Sequence, residues 1–115
     1  MSAVSVVRIS GEKAISITNN IFNKDISNAK SHSIHFGNIV DNNNIIDEVL
    51  VSIFKNNSSF TGEESVEISC HGSIYIQNKI MQILIEKGCR TATAGEFSMR
   101  AFTNGKLDLS QAESI

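Results

Sequence analysis

The chain has 115 residues, of which 41% are hydrophobic, and ten Lys and Arg against twelve Asp and Glu give a net charge of −2. That length suits one domain with one core, and with no charge block nothing marks a nucleic-acid stripe or a basic membrane face. No apolar run approaches the length needed to span a bilayer. Two cysteines, Cys70 and Cys89, make no disulfide framework, and with no signal-peptide pattern the expected compartment is a reducing cytoplasm.

Residues 3–9 alternate and are rich in Val, which predicts a strand. Ser10 is placed to cap a helix over about 11–22, with Ala14, Ile17, Thr18 and Ile21 on one face. The polar run 23–31 reads as a loop. Residues 33–40 and 47–54 read as two strands joined by Asp41-Asn42-Asn43-Asn44, a tight-turn composition because Asn tolerates positive φ. They should form an antiparallel hairpin, with Val49, Val51 and Ile53 on one face and Leu50 and Phe54 on the other. Residues 55–59 connect to a fourth strand over 65–70. Ser73 should cap a helix over about 74–87, buried through Ile76, Ile80, Ile83 and Leu84 and ended by Gly88. A short fifth strand over 89–92 and a helix over 95–104 complete the pattern. Proline is absent, so Gly, Asn and Ser must make the turns. This order predicts an α+β fold, a mixed β-sheet with packed helices.

Both ends read as cut. The chain enters a strand pattern almost at once. Residues 108–115 look like a helix just beginning, with Asp108 and Gln111 at capping-box spacing.

The densest polar chemistry lies in Phe60-Thr61-Gly62-Glu63-Glu64-Ser65-Val66-Glu67-Ile68-Ser69-Cys70-His71-Gly72. Glu67 falls mid-strand on the face of Ser65 and Ser69, away from the apolar face. A carboxylate there either pairs with a cation or holds a ligand, because an unpaired buried charge is costly. Arg8 shares its strand face with Val4 and Val6. It can clamp a carboxylate or carbonyl with forked donors, or its stem can lie along a solvated strand end. Cys70 and His71 look like a nucleophile and base, yet successive strand residues point to opposite faces, so the pair better serves the turn into the next helix. Glu63 and Glu64 read as a solvated turn. Lys106 stands where the chain turns between two helices. His32, His35, Cys70, His71 and Cys89 are scattered without metal-ligand spacing. There is no GxxxxGK[ST] and no GxGxxG, so no phosphate loop.

Taken together, the segments carry a resemblance. Val6-Val7-Arg8-Ile9-Ser10-Gly11, Phe60-Thr61-Gly62-Glu63, Val66-Glu67-Ile68 with His71-Gly72, Gly95-Glu96-Phe97, Arg100-Ala101-Phe102 and Asn104-Gly105-Lys106-Leu107-Asp108-Leu109-Ser110-Gln111-Ala112-Glu113 occur in order along essentially the whole chain. The set resembles the N-terminal domain of the MnmE (TrmE) family of tRNA-modification GTPases. The resemblance implies a fold like the folate-binding module of aminomethyltransferases, binding of 5-formyltetrahydrofolate or another one-carbon tetrahydrofolate, and homodimerisation. It implies a parent that uses GTP, Mg2+ and K+ at sites outside this chain. With MnmG (GidA), that parent adds a carboxymethylaminomethyl-type group at C5 of the wobble uridine of tRNA in the cytoplasm. The chain itself should hydrolyse no GTP. The folate contacts of the family fall on Arg8, Glu67 and Lys106. A pterin edge suits the carboxylate, and the ligand's carbonyl and tail carboxylates suit the two cations. On this reading residues 1–107 form the folate-binding and dimerisation domain, and 108–115 begin a helical domain. The alternative is a dimerisation scaffold in which the charges are structural ion pairs.

The chain also departs from the family pattern. The further strand and Gly-rich turn usual upstream of Ala3 are absent. Ala94 and the run 56–59 stand where prolines are common, and Ser73 replaces a second glycine after Gly72.

Overall fold

A computed structural model describes residues 4–55 and 64–92. Four strands and two helices follow in the order β1 (Val4–Ser10), α1 (Ala14–Ile21), β2 (Ser33–Asp41), β3 (Asn44–Phe54), β4 (Ser65–His71) and α2 (Ile74–Glu86). The sheet order is β1-β4-β3-β2, and every pairing is antiparallel. The α+β class is therefore as expected. Among the described residues, however, the sheet is antiparallel rather than mixed. The segments β2, β3 and β4 run up and down as neighbours, and β1 lies beside β4 while α1 makes the long connection to β2. This is Greek-key order, in which no parallel crossover is needed.

Alternation decides which face is buried. Val7 and Ile9 of β1, Ile39 of β2, Val49, Val51 and Ile53 of β3, and Val66, Ile68 and Cys70 of β4 all point to one side. Both helices pack on that side against β4, through Ala14, Ile15 and Ile21 of α1 and Ile80, Ile83 and Leu84 of α2. The opposite face carries Val4, Val6, Arg8, Glu67, Ser69, Leu50, Ser52, Ile34 and Phe36 in register.

The hairpin turn forms as its asparagines dictate. Asn42 and Asn43 adopt φ of 49° and 68° between the paired residues Asp41 and Asn44, the left-handed pair that a two-residue hairpin requires. Ser73 caps α2, its Oγ accepting from the Ile76 N–H at 3.3 Å. The helix ends at Gly88 with φ of 118°, after which the Cys89 N–H donates to the Leu84 carbonyl. Glycine pays no steric penalty there.

Two further expectations change. The first helix does not begin at Ser10, because Ser10 still pairs with Ser65 in the sheet. Gly11 then donates its N–H to the Glu64 carbonyl and accepts from Ala14, so α1 starts three residues later. Residues 89–92 form no strand. They leave the helix end along a cavity wall rather than along a sheet edge. The polar run 23–31 is a loop as expected, yet it contains a core residue, Ile26, which is fully buried while its N–H donates to Asn19 Oδ1 at 2.8 Å. The expected helix over 95–104 lies outside the described residues.

Candidate functional site

The register of β1 and β4 places Arg8 directly opposite Glu67, on the face away from the helices. The guanidinium donates from Nε at 3.0 Å and from Nη2 at 2.9 Å, and both bonds end on Glu67 Oε2. The two side chains are only 24% and 28% exposed, so this is a half-buried pair rather than a solvated one. Among the described residues Oε1 accepts no hydrogen bond. Lys106, the third expected contact, lies outside the described residues, as do Glu63 and the start of the turn before β4.

Glu67 also faces β3, where Ser52 is its direct partner. Along β4 its same-face neighbours are Ser65 and Ser69. The next row across the sheet is Val6, Ser69, Leu50 and Phe36. Of these, Val6, Leu50 and Phe36 are exposed, as are Val4 and Ile34 nearby. A few polar groups therefore stand inside an apolar surround, a composition suited to orienting a largely apolar ligand or partner.

The Cys-His pair separates as strand geometry requires. Cys70 is buried, and burial pushes its thiol pKa up, with the negative charge of Asp47 adding to the effect. His71 faces outward. Its N–H donates to Asp47 Oδ2 at 2.9 Å, and its Nδ1 meets Asp47 Oδ1 at 2.7 Å. The thiol of Cys89 is likewise raised by burial. Neither thiol has the electropositive, accessible setting of a nucleophile. Among the described residues no group of three or more His, Cys, Asp or Glu could hold a metal ion, and no helix is long and apolar enough to cross a membrane.

A cavity of about 450 Å³ lies beside β1, between the start of α1 and the end of α2. Val7, Ile9, Ile17, Met81 and Leu84 supply apolar walls, and Arg8 borders it. Glu67 does not, so the cavity and the ion pair meet at Arg8 only.

Sequence reasoning missed Asp47 and Ser52. Both face their partners only because of strand register, and pairing between β3 and β4 is not written in either segment alone. An acid at the start of a strand and a lone serine amid Val, Ile and Phe were the available signs.

Comparison with known proteins agrees with the motif pattern. Residues 1–106 match the family described as GTP-binding protein TrmE N-terminus. A tRNA modification GTPase MnmE of Flavobacterium johnsoniae is 59% identical over 98% of this chain and 25% of its own length. The proteins of the same name in Bacteroides thetaiotaomicron and Enterococcus faecalis are 51% and 47% identical, again over 98% of this chain and 25% of theirs. The chain thus spans about a quarter of the curated relatives it matches, and it belongs to the TrmE (MnmE) N-terminal family.

Proposed function

We propose that this chain is the tetrahydrofolate-binding and homodimerising N-terminal module of a cytoplasmic tRNA-modification GTPase. The parent works with MnmG on the wobble uridine of tRNA and carries GTP, Mg2+ and K+ elsewhere. Residues 1–107 make the module, and a helical domain begins at 108.

The observation that carries the folate reading is the half-buried Arg8–Glu67 pair. One carboxylate oxygen is held by the guanidinium, and Oε1 is left to accept from a ligand. That acceptor fits a reduced pterin, whose ring N–H and 2-amino groups need acceptors. Arg8 fixes the orientation of Glu67 before any ligand arrives, which lowers the ordering cost of binding. Lys106 completes the charged set on the family pattern. When bound, the folate supplies the one-carbon unit. The exposed apolar residues on the same sheet face, Val4, Val6, Ile34, Phe36 and Leu50, support the dimer, because such a patch favours a protein partner.

Calorimetric titration of 5-formyltetrahydrofolate into the complete protein that carries this chain tests the site. Replacing Glu67 by Ala should weaken binding by about tenfold to a hundredfold, the cost of losing hydrogen bonds to a charged group. Equal affinity for both proteins would remove Glu67 from the site. A second reading is favoured by the Arg8–Glu67 ion pair, which gives each charge a partner without any ligand: a scaffold that dimerises without folate. It requires a dimer in sedimentation together with no heat of folate binding.

A further inference from the structure

Resting on the folate reading, we propose that Ser52 is a further specificity-determining contact, its hydroxyl accepting from the exocyclic 2-amino group of the pterin. Register sets three side chains in one row across the open face: Arg8 on β1, Glu67 on β4 and Ser52 on β3. Direct cross-strand partners have Cβ atoms about 5 Å apart, so Ser52 lies beside Glu67 on the side opposite Arg8. Arg8 Nε and Nη2 both lie on Oε2, so a ligand reaches the carboxylate through Oε1 or the remaining capacity of Oε2.

Ser52 differs from the rest of β3. It is half-buried, between Val51 and Ile53 of the core face, and among the described residues its hydroxyl makes no hydrogen bond. It stands between Leu50 and Phe54 on the open face of β3. The hydroxyl offers two acceptor lone pairs and one donor. A pterin presents a ring N–H and a 2-amino group side by side. The carboxylate takes the ring N–H and one amino hydrogen, and the second amino hydrogen points along the ring edge to the neighbouring strand, where Ser52 stands. Val6 and Leu50, one row away, give the ring apolar edges to lie against.

The test pairs two variants with two ligands in the complete protein. Ser52→Ala should weaken 5-formyltetrahydrofolate by about three- to tenfold, the range for one neutral hydrogen bond, and Ser52→Thr should restore most of the loss. Against an analogue carrying methyl in place of the 2-amino group, wild type and Ser52→Ala should bind equally. An unchanged affinity of Ser52→Ala for the natural ligand, with Glu67→Ala still impaired, overturns the role of Ser52 and leaves the folate site standing. The same loss against both ligands also overturns it, because a merely structural serine cannot tell the amino group from methyl. No binding by wild type overturns the folate reading itself and Ser52 with it.

Discussion

Arg8 donates twice to a single oxygen of Glu67, from Nε at 3.0 Å and Nη2 at 2.9 Å, across the β1–β4 pairing. The bond ties β1 to β4 on the face opposite the core, and it holds one charge of each sign out of full solvent. A double-mutant cycle of Arg8→Ala and Glu67→Ala should give a coupling of about 1 kcal/mol in urea unfolding, the upper end for surface pairs. Glu67→Ala alone should cost more than that coupling, because it leaves the half-buried guanidinium without this partner.

Asp47 secures the far end of the same strand. The last ladder pair between β3 and β4 in that direction is Leu50 with Ser69, yet the Asp47 side chain accepts from the His71 N–H beyond it. Asp47 is only 10% exposed. Asp47→Ala should cost about 1–3 kcal/mol, since a backbone donor loses its acceptor. Hydrogen exchange should report it locally, with faster exchange at the His71 amide and little change at the Ile68 amide in the middle of the ladder.

Gly37 of β2 has no room for a side chain. A Cβ there would stand 2.6 Å from Asn23 Oδ1 and 2.7 Å from Phe22 Cζ. Phe22 is buried and bridges to Ile39, so its ring has little room to retreat. Gly37→Ala should destabilise by about 1–3 kcal/mol through overpacking, seen as a lower urea midpoint. The double variant with Phe22→Leu should recover part of the loss.

Thr18 carries a buried hydroxyl. The residue is fully buried on α1, and among the described residues Oγ1 has no hydrogen-bond partner. Thr18→Val keeps the shape and removes an unsatisfied polar atom, so it should stabilise by about 1 kcal/mol in thermal or urea unfolding. A destabilised variant would mean that the hydroxyl is satisfied in solution.

Local chemistry alone determined much of this molecule. Alternation in Val7 and Ile9, in Val49, Val51 and Ile53, and in Val66 and Ile68 marked the buried sheet face, because strand side chains repeat every two residues. Helical spacing marked Ile80, Ile83 and Leu84. Asn42-Asn43 set the hairpin, and Ser73 and Gly88 bounded the second helix, because these residues satisfy backbone requirements within a few positions of themselves. The same alternation separated Cys70 from His71. The motif pattern also placed the chain in its family.

Other features depended on contacts distant in sequence. Arg8 and Glu67 each stood out as charges on strands, but only the pairing of β1 with β4 joined them across 59 positions. Ser52 and Asp47 carried little local sign, and both meet residues of β4 only because β3 packs beside it. Ser10 looked like a helix cap until its pairing with Ser65 kept it in the sheet. Ile26 sat in a polar loop and still entered the core, since burial is settled by what the folded chain brings over a residue rather than by its neighbours in sequence. The all-antiparallel order arose the same way: backbone donors and acceptors are paired between segments, and which segments become neighbours is decided by the packed sheet as a whole.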